Sequence, residues 1–292
     1  MSGVTIEGAG RPGTQRGNGA IAALLPDNRR LHLHHGPIDL IIEAFGPEPE
    51  RRQAYAQATA RFATILAEIV TDLPQLRRAG ASVAAANVPG TRMCQAIAPF
   101  RAEFVTPMAA VAGAVADEIL AAMVTGRRLN RAYVNNGGDI AIFLAPGATL
   151  TVALAAGGGR AGIAAHDPVR GVATSGWRGR SLSLGIADAV TVLADSAAQA
   201  DVAATLIANA VDLPGNPAVH RRRACDVNSE SDLGTMLVTT GVGRLDEPEI
   251  AMALDRGLAV ARDYHVRGVI HDAVLNLRHL TKTLRQKEPA HA

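Results

Sequence analysis

Hydrophobic and polar positions follow two different periods along this chain, and the switches between them mark its elements. Three short runs near the start, 20–25, 30–35 and 38–45, have the make-up of strands. Pro26-Asp27-Asn28 and Gly36-Pro37 between them carry turn chemistry, so a meander is predicted. After Pro49 the period lengthens. Tyr55, Ala58, Phe62, Ile65, Leu66, Ile69 and Leu73 recur at helical spacing, which predicts an amphipathic helix ending at Pro74. A second helix is predicted over 107–124, with Thr106 as its cap and Gly126 just past its end. Asp117 and Glu118 are its only charges, so it reads as buried almost all round, and Gly113 in its middle predicts close backbone approach. The period then falls back to strands at 132–135, 139–144, 150–155, 162–165, 171–174 and 189–194. A third helix follows over 196–211, then a strand at 237–240 and an amphipathic helix from 247 to about 264. Runs of strands broken by single long helices predict an α+β fold, antiparallel sheets packed with long buried helices, as one domain over 1–292. The flanks 1–18 and 281–292 are expected to be flexible.

Composition narrows the function classes. The 292 residues carry a net charge of +2 and only 3% aromatic side chains, against the basic, aromatic surfaces that bind nucleic acid. Cys94 and Cys225 stand far apart, in no metal-finger or disulfide spacing. The first 19 residues are Gly-rich and polar without an apolar stretch, and no run reaches about 18 uninterrupted apolar residues. A cytoplasmic chain without membrane contact is therefore expected, with a homodimer through apolar helix surface as one option.

Three segments can carry chemistry. In Asn135-Asn136-Gly137-Gly138-Asp139 the paired glycines let a ligand approach the backbone, while the amides and Asp139 can bind polar groups; a plain hairpin turn has the same residues. Thr174, Ser175 and Gly176 end a strand and could form an anion-binding nest for phosphate; ordinary strand ends also look like this. On the third helix, Asp201, Thr205 and Asn209 recur every four residues as one polar stripe, behind a start marked by the capping-box spacing of Ser196 and Gln199. A buried Asp must be paired, protonated or bound to metal. An Asp and a Thr one turn apart offer the oxygen ligands magnesium prefers, and an internal arginine partner for Asp201 is the alternative.

Other signals point elsewhere. Gly157-Gly158-Gly159-Arg160-Ala161-Gly162 spells a dinucleotide fingerprint without the helix it requires, so a hairpin loop is predicted. His32 and His34 share one strand face, but with no carboxylate or third histidine expected to join them a metal pair is not favoured. His220-Arg221-Arg222-Arg223 reads as a solvated loop.

The order of these segments resembles the ApbE family of FAD:protein FMN transferases, most closely its uncharacterised ApbE-like subfamily. The resemblance is carried by the helix with Gly113 and Asp117, by Val134 to Asp139, by Ala173 to Gly176, and by Ala189-Val190-Thr191-Val192 leading to Ala200-Asp201-Val202-Ala203-Ala204-Thr205. It covers about a third of the chain, and the last segment reproduces the family's A-D-x-x-A-T. The resemblance implies a phosphorylated small-molecule ligand, FAD or a related flavin nucleotide, held over magnesium by Asp201, Thr205 and a backbone carbonyl near Val111. It also implies a pocket lined by the two glycine-bearing segments. Departures are equally legible. Where FMN transferases carry H-I-I-D-P, residues 177–188 contain no histidine, and Ala112 stands where the family has lysine. Arg180, to stabilise phosphate charge, and Asp188, as a base, are the expected replacements. A Mg-dependent transferase, an enzyme of pterin- or furan-based one-carbon cofactor synthesis, and a flavin-binding module without turnover all remain open.

Overall fold

A ten-stranded sheet joins the first described strand to the last in a computed structural model that describes residues 5, 6, 19–80, 84–156 and 158–284. The strands are β1 (Thr5–Ile6), β2 (Ile21–Leu24), β3 (Leu31–His35) and β4 (Ile38–Phe45), then β5 (Arg131–Asn136) and β6 (Asp139–Leu144). A two-stranded ribbon of β7 (Thr149–Ala153) and β8 (Arg160–Ala164) is followed by β9 (Gly171–Ser175) and β10 (Ala189–Ala194). A second ribbon pairs β11 (Val219–Arg223) with β12 (Leu237–Val242), and the sheet closes with β13 (Asp272–Leu277) and β14 (Leu280–Thr283). The order is β1-β2-β3-β4-β5-β6-β9-β10-β13-β14, and every pairing but β1–β2 is antiparallel. The α+β fold with antiparallel sheets is therefore what the chain adopts.

The helices are α1 (Glu48–Leu76), α2 (Val88–Ile97), α3 (Val111–Val124), α4 (Ala197–Ala210), α5 (Ala224–Val227) and α6 (Glu247–Val266). α3 and α4 lie at the centre: α3 packs on α1, α4, β5 and β6, and α4 packs on α3, α6, β9 and β10. Alternate strand residues sort to the two faces as the pleat requires. Ala141, Ala173 and Val192 join the main core with the helices, whereas Ile142, Val172 and Leu193 join a smaller core on the other face, which the β7–β8 ribbon covers.

By length and composition the 18 residues Pro107–Val124, of mean hydropathy 1.6, could cross a membrane. In this fold they form a 3-10 turn and then α3, a helix enclosed by protein on most sides. Its two charges are both assigned. Glu118 accepts from Arg61 Nε at 2.8 Å and Arg92 Nε at 2.7 Å, tying α3 to α1 and α2. Asp117 accepts from the amides of Ala197 at 3.1 Å and Ala198 at 2.9 Å, and so caps α4 from outside.

Several expectations are corrected. Pro74 does not end α1, which runs on to Leu76. Proline deprives only the Val70 carbonyl of its partner, and Val70 lies on the exposed side where water can serve. The helix α2 was not predicted, being short and holding Pro89 and Gly90. The His220–Arg223 segment is strand β11 rather than a loop. Thr281, Lys282 and Thr283 belong to β14, held in a hairpin whose turn residue Arg278 has φ 56°; residues 1–4, 7–18 and 285–292 of the expected flexible flanks lie outside the described residues. Ser196 caps α4 by accepting from the Gln199 amide at 3.2 Å, but the Gln199 side chain donates to the Val269 carbonyl instead of completing a capping box. The hairpin predicted around the glycine run is present as β7–β8, with Gly157 itself outside the described residues.

Candidate functional site

Where β5 turns into β6, a cleft of about 810 Å³ opens between that turn, the end of β9, and the helices α3 and α4. The turn is the two-residue hairpin Gly137-Gly138, at φ 65° and 117°. It is thus both the plain hairpin and a cleft wall: Asn136, Gly137 and Asp139 line the cleft, while Asn135 and Gly138 do not. Asn135 spends its side-chain oxygen on the Gly138 amide at 2.8 Å, holding the turn. Thr174, Ser175 and Gly176 line the cleft beside the hairpin, at the end of the neighbouring strand β9.

Asp201 and Thr205 face the cleft from α4, and Val111 and Ala112 from the start of α3. The two helices cap each other. Asp117 on α3 holds the first amides of α4, and Asp201 on α4 accepts from the Gly113 amide of α3 at 3.0 Å. Such reciprocity needs near contact of the helices, and glycine supplies it: a Cβ on Gly113 would stand 2.3 Å from the Ala197 carbonyl oxygen. Asn136 ties the hairpin to the same helix start by donating to the Ala112 carbonyl at 3.0 Å. No arginine pairs with Asp201 among the described residues. Its backbone partner leaves carboxylate capacity for a ligand.

The floor of the cleft holds two buried carboxyl groups with no ion-pair partner among the described residues. Burial and the neighbouring Asp139 raise the Asp201 carboxyl well above the carboxylate range, and the Gly113 amide only partly offsets this. Burial pushes Asp139 to about 7, against the pull of the Thr174 amide at 3.3 Å and of Arg180. Arg180 leans over Gly137, filling the space a side chain there would take. It has no ion-pair partner among the described residues, which leaves its guanidinium available to an anion at the cleft mouth.

Asp188 does not belong to this set. It is absent from the cleft lining, and its carboxylate is fully engaged: it accepts from Trp177 Nε1 at 3.2 Å, Arg178 Nε at 2.8 Å and the Arg278 amide at 2.6 Å. Those donors outweigh burial and keep its carboxyl below the usual range, the reverse of a base poised near neutrality. Asp188 is a strut beneath Trp177. Asp188→Ala is expected to lower stability by about 1–3 kcal/mol, through the orphaned Arg278 amide. It should shift the Trp177 emission and leave ligand affinity within about twofold, as melting curves and titrations would read; a loss of ligand binding in a folded variant would return Asp188 to the site.

The third member of the polar stripe, Asn209, accepts from Ser183 Oγ at 3.1 Å and the Leu184 amide at 2.9 Å, so it anchors the loop that carries Arg180. Sequence reading missed the far wall. Arg77, at the end of α1, pairs with Glu230 at 3.1 Å, and Thr106 donates to Asp232; both hold the 228–233 segment against the cleft. No local pattern announces pairs separated by 153 and 126 positions.

A family model described as AbpE bacteria matches residues 22–285. Among curated relatives, a UPF0280 protein of Methanothrix thermoacetophila is 42% identical over 126 residues, covering 41% of this chain and 51% of that one. A UPF0280 protein of Methanothermobacter thermautotrophicus is 41% identical over 116 residues, covering 38% and 44%. The chain thus spans about half the length of the curated relatives it matches. Among solved structures, a mutant of the flavin transferase ApbE from Vibrio cholerae aligns over 87% of this chain and 96% of its own, at 11% identity and a TM-score of 0.48.

Proposed function

The chain belongs to the ApbE-like bacterial family whose model matches it from residue 22 to 285, and on that premise we propose that its cleft binds a flavin nucleotide, FAD in the first instance, over a magnesium ion. One observation carries this reading: two buried acids, Asp139 and Asp201, repel one another on the floor of a cleft whose mouth holds an uncommitted arginine. A divalent cation removes that repulsion, and the donors at hand suit magnesium, since they are hard oxygens throughout: the Asp201 carboxylate, the Thr205 hydroxyl and the backbone carbonyl at Val111. When bound, the ion would supply charge neutralisation for a pyrophosphate.

The remaining roles fall to the chain's own groups. Ser175 offers its hydroxyl to phosphate oxygens at the end of β9, beside Thr174, whose amide serves Asp139 and whose hydroxyl meets Thr191 Oγ1 at 2.9 Å, and Arg180 offers a planar cation at the mouth. Asp139 takes over the place first assigned to Asp188. Burial raises its carboxyl to about 7 in the metal-free chain, and its place on the cleft lining would let the carboxylate accept a proton from an attacking hydroxyl. The reaction supported is transfer of the FMN moiety, in which the acceptor oxygen bonds to the FMN phosphorus, the pyrophosphate bond breaks and AMP leaves. A second reading, a flavin-binding module without turnover, is favoured by the lack of histidine in residues 177–188 and by Ala112 in place of lysine. AMP release from FAD separates the two.

The first test is a titration of the full chain with FAD, with and without magnesium, following Trp177, which directly follows the cleft residue Gly176. Saturable quenching that requires magnesium is expected. Its absence at millimolar FAD would overturn the flavin assignment.

A further inference from the structure

On the face of the sheet turned away from the helices, β3 and β4 bring together three side chains that the cleft does not use. Leu31 and Leu33 point into the core, so His32 and His34 stand on the opposite face. The antiparallel register sets Asp39 of β4 directly across from His34. The Asp39 carboxylate then serves both rings, with His32 Nε2 at 3.2 Å from one oxygen and His34 Nδ1 at 3.3 Å from the other. One ligand atom from each of the three side chains lies within 4.8 Å of the others. We propose that His32, His34 and Asp39 form a site for a divalent transition metal of the zinc class, separate from the magnesium-type cleft and independent of it.

The donor chemistry makes the distinction. Two imidazoles and one carboxylate suit zinc and its neighbours, whereas magnesium prefers oxygen throughout. Around tetrahedral zinc, with bonds of about 2.0–2.1 Å, ligand atoms sit about 3.3 Å apart, so each histidine nitrogen already stands about one ligand edge from an oxygen of the Asp39 carboxylate, and a small carboxylate rotation would bring one oxygen to both. The metal-free hydrogen bonds hold the side chains converged, which lowers the ordering cost of binding. The flanking residues across the sheet are aliphatic: Ala23 stands opposite His32 on β2, Ile21 opposite His34, and Ile41 opposite His32 on β4. Side-chain exposures of 34% for His32, 45% for His34 and 48% for Asp39 leave an entry path, and solvent completes the coordination. His32 and His34 were legible as a same-face pair. Asp39, five residues beyond His34, was passed over because only the hairpin register brings it between them.

The test is zinc uptake by the tag-free full chain in millimolar magnesium, read by calorimetry and by metal analysis after dialysis. The Asp201→Asn variant is included to remove the carboxylate expected to hold a metal in the cleft. One zinc per chain at micromolar concentration or tighter is expected, unchanged by Asp201→Asn. Binding should weaken at least about tenfold in Asp39→Asn and disappear in His32→Gln/His34→Gln. The cobalt-substituted chain should show the intense visible bands of a four-coordinate site. Should the double variant fail to fold by circular dichroism, the single variant His34→Gln on its exposed strand face replaces it. No saturable zinc uptake, or one zinc retained in the folded histidine variants, overturns the proposal.

Discussion

Asp201→Asn is expected to lose magnesium-dependent ligand binding, by at least about 100-fold or 2.7 kcal/mol, while the chain stays folded and becomes more stable above neutral pH. The asparagine oxygen still accepts from the Gly113 amide, so the cap on α3 survives. What disappears is a buried ionisable carboxyl beside Asp139, which can no longer ionise at high pH or bind a cation as a carboxylate. The change therefore separates a capping role from a ligand role: a carboxylate needed only for the helix would lose nothing in binding. Asp201→Ala removes cap and charge together and should be the less stable of the two. Retention of magnesium-dependent FAD binding in a folded Asp201→Asn chain would sink the metal assignment.

The same electrostatics set a pH dependence whose sign can be worked out. Asp139 ionises near 7 in the folded chain but near 4 when unfolded. Between those values the folded state holds the extra proton, so this group makes the metal-free chain lose stability as pH rises from about 4 to about 7; Asp117, raised by burial to about 6, adds to the decline, and Asp201, also raised, extends it. The slope is at most roughly 1.4 kcal/mol per pH unit for this group. Melting curves in EDTA should show the decline, and Asp139→Asn should make it shallower, leaving the share of Asp117 and Asp201. Added magnesium should recover stability above pH 7 and do progressively less below it, because proton and cation compete for the same carboxylates. A metal-free melting temperature unaffected by Asp139→Asn throughout this window would contradict the assignment of the strain to these acids.

Gly113→Ala is the second large effect. On helix propensity alone the substitution would stabilise α3 by about 1 kcal/mol. The fold reverses that sign. The new methyl group would stand 2.3 Å from the Ala197 carbonyl oxygen and 2.6 Å from the Ala198 nitrogen, and both are backbone atoms at the start of α4. Backbone cannot rotate aside as a side-chain tip can, so the helices must separate, at a net cost of roughly 1–3 kcal/mol. Separation also draws Asp201 away from the Gly113 amide and Asp117 away from Ala197 and Ala198, loosening both caps. The expected result is a lower melting temperature together with weakened magnesium-dependent binding. A variant as stable as the parent would show that α3 and α4 do not meet so closely.

The elements that make the cleft were legible because short-range rules govern them. The apolar run of α3, the spacing of α4 and the Asn-Gly turn between β5 and β6 are each written within a few residues, and all three are present. Gly113 signalled a close approach before the approaching partner was known. The grouping of Asp139, Asp201, Thr174 and Thr205 around one cleft follows the order of the motifs. The place of Asp188 does not. Its burial against Trp177 and its bond to the Arg278 amide, 90 positions away, depend on β10 pairing with β13.

Sequence by itself therefore determined most of the helices and strands, α2, β11 and β14 excepted, together with the glycine at the helix crossing and the polar stripe on α4. All of these follow from local periodicity, turn residues and side-chain size. The tertiary structure decided which carboxylates share a site. It paired Asp201 with a helix start in place of an arginine, buried Asp139 close enough to raise Asp201, withdrew Asp188 into a strut, and slid Asp39 between two histidines. Such outcomes turn on strand register and helix crossing, where a shift of one residue moves a side chain to the opposite face. Charge interactions respond to distance in space, whatever the separation along the chain.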